Sequence, residues 1–293
     1  MIEKKANSQL NIKNGGYAFT LMIFIYVIIA FLGQAIISAL ATENSTTYLA
    51  VNSLFSITAI AIVLFAYLFL LKNSKMASLN IKGAKPVDFG LSITIAVGMF
   101  LGFGFVNTLI ANLITDSELN AGGMTLPLNN FSDFLVFAIV LGVLPAVFEE
   151  LFFRGLLLNC CKNCNIIVAV TVNAVCFALY HCSLTQFLYQ LIYGASLCLL
   201  AVKSKSVLPC ILAHFINNFS IILLQYLKIE INLLNIGIII LGLVFITASI
   251  IFICSKIKVK KETDQDSILY FLLPAGVFGI IVCVSLMVGA LMV

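Results

Sequence analysis

The chain has 293 residues, 62% of them hydrophobic and only 10% charged, with a formal net charge of +4 and a mean hydropathy of +1.16. Soluble globular chains are about 45–50% apolar and about 25% charged, so this composition excludes a soluble globular fold and points into the membrane. The lysines lie scattered in short connections, which makes the positive charge a reporter of topology and argues against nucleic acid as a partner.

A helix crossing the hydrocarbon core needs about 20 mostly apolar residues. Nine stretches are predicted in chain order: 17–41, 49–71, 89–115, 131–158, 166–181, 184–201, 207–227, 231–254 and 268–292. The first is uncharged and longer than the about 7–15 residues of a signal-peptide core. With no cleavage site and soluble domain behind it, it is expected to stay as a span.

The connections alternate in charge. Lys4, Lys5 and Lys13 precede the first span; Glu43 follows it; Lys72, Lys75, Lys82 and Lys85 follow the second; Asp116 and Glu118 follow the third. Lys162, then Lys203 and Lys205, then Lys256, Lys258, Lys260 and Lys261 mark later connections, and only Lys228, beside Glu230, falls on the base-poor side. Basic loops stay cytoplasmic, so the expectation is a multi-pass protein of the cell membrane with a cytoplasmic N-terminus. The short pair 166–181 and 184–201 is compatible with a re-entrant hairpin as well as with two crossings.

The predicted fold class is therefore all-α: a polytopic transmembrane helix bundle of about 8–9 spanning helices. Three N-terminal spans (1–130) and two C-terminal spans (228–293) flank a core at 131–227, with no internal repeat and no soluble domain. Gly122, Gly123 and Pro127 suggest a flexible external connection. Gly98 and Gly102 form a GxxxG that reads as ordinary close helix packing. Nine cysteines, odd in number and mostly inside spans, are expected to be free thiols; the lone CxxC of Cys161 and Cys164, beside Cys160, is a weak zinc signal.

The fourth stretch breaks the apolar pattern with Phe148-Glu149-Glu150-Leu151-Phe152-Phe153-Arg154. One ionisable residue at a helix centre costs about 2.5–3.5 kcal/mol on the insertion scale, so three within one turn and a half must face the bundle interior. At about 100° per residue, Glu150 and Arg154 share a face and can pair, whereas Glu149 points about 140° away from Arg154. Glu150–Arg154 is thus expected to be a structural ion pair and Glu149 the free carboxylate. The chain's two histidines, His181 and His214, also fall in or beside apolar stretches, one turn after Phe177 and one turn before Asn218.

These residue types suit peptide hydrolysis. Glu149 with His181 can orient and deprotonate a water, and His214 with Asn218 can donate to the oxyanion that develops on a scissile carbonyl. Cys182 adjoins His181 but points about 100° away on a helix, which disfavours a cysteine nucleophile. Glu149, His181 and His214 are also the set that would hold a catalytic zinc with water as fourth ligand. No HExxH is present, a metal-free glutamate mechanism accounts for the same residues, and no cofactor is favoured.

At these segments the sequence resembles the CPBP family, the CAAX proteases and bacteriocin-processing enzymes also called the Abi family. The family pattern is Glu-Glu-xxx-Arg, Phe-xxx-His and His-xxx-Asn/Asp on successive transmembrane helices, matched here by Glu149 to Arg154, Phe177 to His181 and His214 to Asn218. The resemblance covers about 130–225. It implies an intramembrane endopeptidase in which Glu149 and His181 activate water and His214 and Asn218 form the oxyanion hole. Its implied partners are membrane lipids and a membrane-associated peptide, either prenylated, as for the eukaryotic members that remove three C-terminal residues, or leader-bearing, as for bacterial pheromone and bacteriocin processing.

Two other classes compete: a non-catalytic bacteriocin self-immunity or scaffold protein, which has no reason to keep desolvated charges, and a proton-coupled transporter, which usually shows internal repeats. One expectation conflicts with the topology. Sixteen residues at about 1.5 Å each carry His181 outward, away from Glu149 and His214, so its helix must start later, tilt, or lie submerged.

Overall fold

The structure is a computed structural model that describes residues 10–42, 45–70, 79–114, 125–232, 235–257 and 268–289. The loop residues Lys4, Lys5, Glu43, Lys72, Lys75, Asp116, Glu118, Gly122, Gly123, Lys258, Lys260 and Lys261, on which part of the topology reading rests, lie outside the described residues. Among the described residues the fold is all-helical: α1 (Ile12–Leu40), α2 (Thr46–Leu70), α3 (Pro86–Ile114), α4 (Phe131–Cys160), α5 (Ile166–Tyr180), α6 (Leu184–Ser204), α7 (Leu208–Tyr226), α8 (Ile236–Cys254) and α9 (269–289). Nine helical rods thus occupy the nine predicted stretches. Seven helices are long and apolar enough to cross a membrane, while Ile166–Tyr180 and Val277–Gly289 are shorter apolar helices.

Helix ends differ from the hydropathy boundaries where polar caps decide them. α1 starts ahead of its apolar run because Asn11 and Asn14 form a reciprocal capping box, each side chain satisfying a backbone N–H of the other. α8 starts at Ile236 because the Asn235 side chain accepts from the N–H groups of Gly237 and Ile238, at 3.0 and 3.3 Å. α3 opens on Pro86, whose missing N–H is no loss in a first turn.

α4 runs through the middle, touching α1, α2, α5, α6 and α7. α3 lies against α6, α7 and most extensively α8. The GxxxG face of α3 is what permits that last contact. A Cβ on Gly102 would come within 2.8 Å of the Gly242 and Leu243 backbone, and one on Gly98 within 2.7 Å of Ile246 N. We expect Gly102→Leu to force the helices apart and lower the Tm clearly, while Gly83→Leu, with open space around it, leaves the Tm unchanged; a thermal unfolding scan checks both.

Two hydroxyls stitch the same layer: Ser92 Oγ donates to the Pro209 carbonyl at 2.7 Å, and Thr94 Oγ1 pairs with Ser249 Oγ at 2.8 Å. A buried ion pair between Lys203 of α6 and Asp88 of α3, at 2.5 Å, closes one end of the bundle. Large apolar side chains such as Phe31, Leu40, Phe65, Phe69 and Leu113 stand exposed, as a lipid-facing surface requires.

Candidate active site

The charged cluster sits where α4 departs from α-helical winding. Residues 138–143 and 151–157 are π-helical, and Glu149 and Glu150 end the α-helical segment between them. Such one-turn widenings are frequent at functional sites because they free carbonyls and re-aim side chains. Glu149 is 6% exposed, Glu150 and Arg154 0%, and His214 3%.

Arg154 Nη1 donates to Glu150 Oε1 at 2.9 Å, as helical spacing predicts. Its Nη2 donates to the Gly194 carbonyl of α6 at 3.0 Å, and its guanidinium lies 4.3 Å from the centroid of the Phe177 ring. A Cβ at Gly194 would crowd Phe177 and Ala174, at 3.1 and 3.2 Å, so glycine lets α6 approach α5 closely there. Phe177 is therefore the platform of the site. Its ring takes Arg154 on its face, with His181 at 4.9 Å and His214 at 5.9 Å between centroids, both tilted steeply to it.

Both histidines are anchored through Nδ1. In His181 the partner is the Phe177 carbonyl at 2.8 Å, and in His214 it is Glu150 Oε1 at 2.8 Å. A carbonyl only accepts, and so does the arginine-paired carboxylate, so Nδ1 carries the hydrogen in both rings. Each Nε2 is then turned away from its anchor. His214 Nε2 lies 3.9 Å from Glu149 Oε2, too long for a hydrogen bond, and that oxygen has no partner among the described residues. Glu150 is thus the carboxylate paired with Arg154 and His214, and Glu149 Oε2 the one without a hydrogen bond among the described residues.

Asn218, half-buried, reaches back to α4, its Nδ2 donating to the Leu141 carbonyl at 3.0 Å. Pro145, four residues after Leu141, has no N–H to offer that carbonyl, so Asn218 fills the gap and keeps its second amide hydrogen. The structure therefore brings Glu149, Glu150, Arg154, Phe177, His181 and His214 into one interior cluster built from α4, α5 and α7, with Asn218 one turn further along α7 on the Leu141 carbonyl. His181 belongs to it because it caps the short α5, where Asn173 Nδ2 donates to the Phe153 carbonyl of α4 at 2.9 Å and the Phe153 and Phe177 rings meet at 5.2 Å.

Residues 131–220 match the family model described as type II CAAX prenyl endopeptidase Rce1-like. This segment is Rce1-like. The match starts with α4 and ends inside α7, so it contains all three motifs, and the resemblance to the CAAX proteases read from them is shown for this segment. Neither the curated proteins nor the solved structures contain a match to the chain. The protein is a multi-pass helical membrane protein with an Rce1-like core, and α1–α3, α8 and α9 lie outside the match.

Three residues of the Rce1-like core escaped the motif reading. Tyr180 precedes His181; its buried hydroxyl interacts with Glu149 and Ser56 without meeting full hydrogen-bond geometry. Asn217 accepts from the Tyr189 hydroxyl at 2.6 Å and donates to Asn218 Oδ1 at 3.3 Å, linking α6 to α7. Asn173 is fully buried. An asparagine inside an apolar run was the available signal for both asparagines, and Pro145 in mid-helix was the signal that some side chain must reach Leu141.

Among the described residues no three His, Cys, Asp or Glu side chains converge as metal ligands. Glu149, His181 and His214 are the side chains that would hold a zinc, and no step below passes through a metal. All nine cysteines are free thiols.

Proposed function

We propose that the chain is an intramembrane endopeptidase that hydrolyses a peptide bond in a membrane-associated or lipidated peptide by a glutamate mechanism. The observation that carries this reading is the unpartnered Glu149 Oε2, buried beside His214 Nε2 and opposite an anchored His181. One water can donate one hydrogen to Glu149 and the other to His181 Nε2, which leaves an oxygen lone pair for the scissile carbonyl. Glu149 takes the proton as the C–O bond forms. The oxyanion accepts from the remaining Asn218 N–H and from the His214 ring, whose orientation Glu150 fixes through Nδ1. Collapse breaks the C–N bond, and the Glu149 proton passes to the leaving amine.

Support comes from four directions: a dry interior that strengthens these fields, two rings pre-oriented through Nδ1, a polar platform no lipid-facing helix would keep, and the Rce1-like match. The reading includes a cell-membrane location with a cytoplasmic N-terminus, drawn from the basic loops. Incubating the purified protein with prenylated CAAX peptides and leader-bearing peptides, with mass-spectrometric mapping of products, tests it. Cleavage of either class fits; a chain that cleaves neither, while resistance to a bacteriocin survives loss of Glu149, belongs to the immunity class.

Tyr180 offers a finer check. Its hydroxyl makes no hydrogen bond of full geometry within the protein, so Tyr180→Phe should change the Tm little. If that hydroxyl holds the water or the substrate carbonyl, kcat/KM falls about tenfold to hundredfold. An unchanged kcat/KM removes Tyr180 from the reaction.

A further inference from the structure

The Leu141 carbonyl, left without an N–H partner by Pro145, can only accept a hydrogen bond. Asn218 Nδ2 donates to it at 3.0 Å, which turns Asn218 Oδ1 toward Asn217. Asn217 Nδ2 donates to that oxygen at 3.3 Å, so Asn217 Oδ1 faces α6, where the Tyr189 hydroxyl donates to it at 2.6 Å. The carbonyl at one end thus sets the direction of every bond in the chain, and Tyr189 is the donor at the other end. Tyr189 and Asn217 are only 5% and 4% exposed, so bulk water does not compete for the bond they share.

Hydrogen bonds joined head to tail polarise one another. The Tyr189 hydroxyl, by donating to the Asn217 oxygen, makes the Asn217 N–H a stronger donor to Asn218 Oδ1, and the Asn218 amide hydrogens gain in turn. The chain also resists an amide flip. Turning Asn218 over would set its oxygen against the Leu141 carbonyl and its nitrogen against the Asn217 nitrogen, two contacts between like groups. The same helix stands behind the second histidine. Tyr193, one turn after Tyr189, has its ring 6.1 Å from the Tyr189 ring and 6.1 Å from the His214 ring. α6 therefore backs both α7 donors, although it carries none of the motif residues.

We propose that Tyr189 is a positioning residue for the hydrolysis: through Asn217 it keeps the Asn218 amide in the one orientation that leaves an N–H for the oxyanion. The proposal rests on the peptidase reading, in which Asn218 is an oxyanion donor. Tyr189 acts at one remove from the peptide, so its hydroxyl governs the rate of the chemical step and not the binding of substrate.

The test is steady-state cleavage by the purified full chain and its variants. Tyr189→Phe keeps the ring and removes only the hydroxyl. It should lower kcat about tenfold, the scale of one hydrogen bond, and leave KM unchanged. Asn217→Leu, close in volume and apolar, interrupts the same chain and should lower kcat by a similar factor. Asn218→Ala should lower kcat about a hundredfold to a thousandfold, as the loss of one oxyanion donor does. Adding Tyr189→Phe to Asn218→Ala should then cost nothing more, because the hydroxyl acts only through Asn218. A tyrosine that merely supports packing would lower kcat by the same factor in both backgrounds, and that result overturns the proposal. Cleavage by wild type with Tyr189→Phe at full rate overturns it alone; a wild type that cleaves no peptide overturns it together with the peptidase reading.

Discussion

Glu149→Gln is expected to lower peptide cleavage about a hundredfold to ten-thousandfold, the range a general base supplies, while leaving the fold intact. The two halves of this expectation have separate structural grounds. Glu149 Oε2 makes no hydrogen bond in the described structure, so the amide breaks none, and neutralising it relieves a like-charge neighbour in Glu150. A thermal scan beside a cleavage assay reads both halves. Glu150→Gln should behave in the opposite manner. Glu150 Oε1 accepts from Arg154 Nη1 and from His214 Nδ1, both near 2.9 Å, so weakening it costs stability first and activity through the misplaced His214 ring. If both variants lose activity and stability alike, the assignment of Glu149 as reactive and Glu150 as structural is wrong.

Arg154→Ala is expected to be the most destabilising single change in the core, by about 3–5 kcal/mol. The side chain is fully buried, ties α4 to the Gly194 carbonyl of α6, and covers the face of Phe177. Its removal leaves the Glu150 carboxylate buried without its arginine partner, which is the costly way to break a buried pair. Arg154→Lys should rescue little, because a single ammonium cannot bridge Glu150 and the Gly194 carbonyl with a planar fork. A double change to Glu150→Leu/Arg154→Leu should be less destabilised than Arg154→Ala, since no orphan charge remains, yet inactive, since His214 has lost its anchor. Denaturation of the three variants in detergent gives the ranking; a Tm for Arg154→Ala equal to that of wild type would remove the pair from any structural role.

Local arithmetic read much of the site from sequence. Four-residue spacing placed Glu150 against Arg154 and turned Glu149 away, and the structure has both features. The cost of charge in an apolar run marked the same three residues as interior. What was not legible depends on long-range partners. Asp88 and Lys203 pair across 115 positions, at helix ends where hydropathy sees only a boundary. The Gly194 carbonyl and the Leu141 carbonyl are backbone groups without any side-chain signature, although Pro145 announced that one of them would need a donor. His181 meets the α4 residues because α5 is strapped to α4 through Asn173 and Phe153, contacts that hydropathy windows cannot register. The π-helical turns of α4 left no readable trace beyond that proline.

The most direct measurement is the product of wild-type protein, purified in detergent and incubated with lipidated and leader-bearing peptides, with and without a chelator, alongside Glu149→Gln. A single internal cut, made equally with the chelator present and absent from the Glu149→Gln reaction, is the predicted result. A cut that persists in Glu149→Gln, or one that vanishes with the chelator, would contradict a metal-free peptidase built on Glu149.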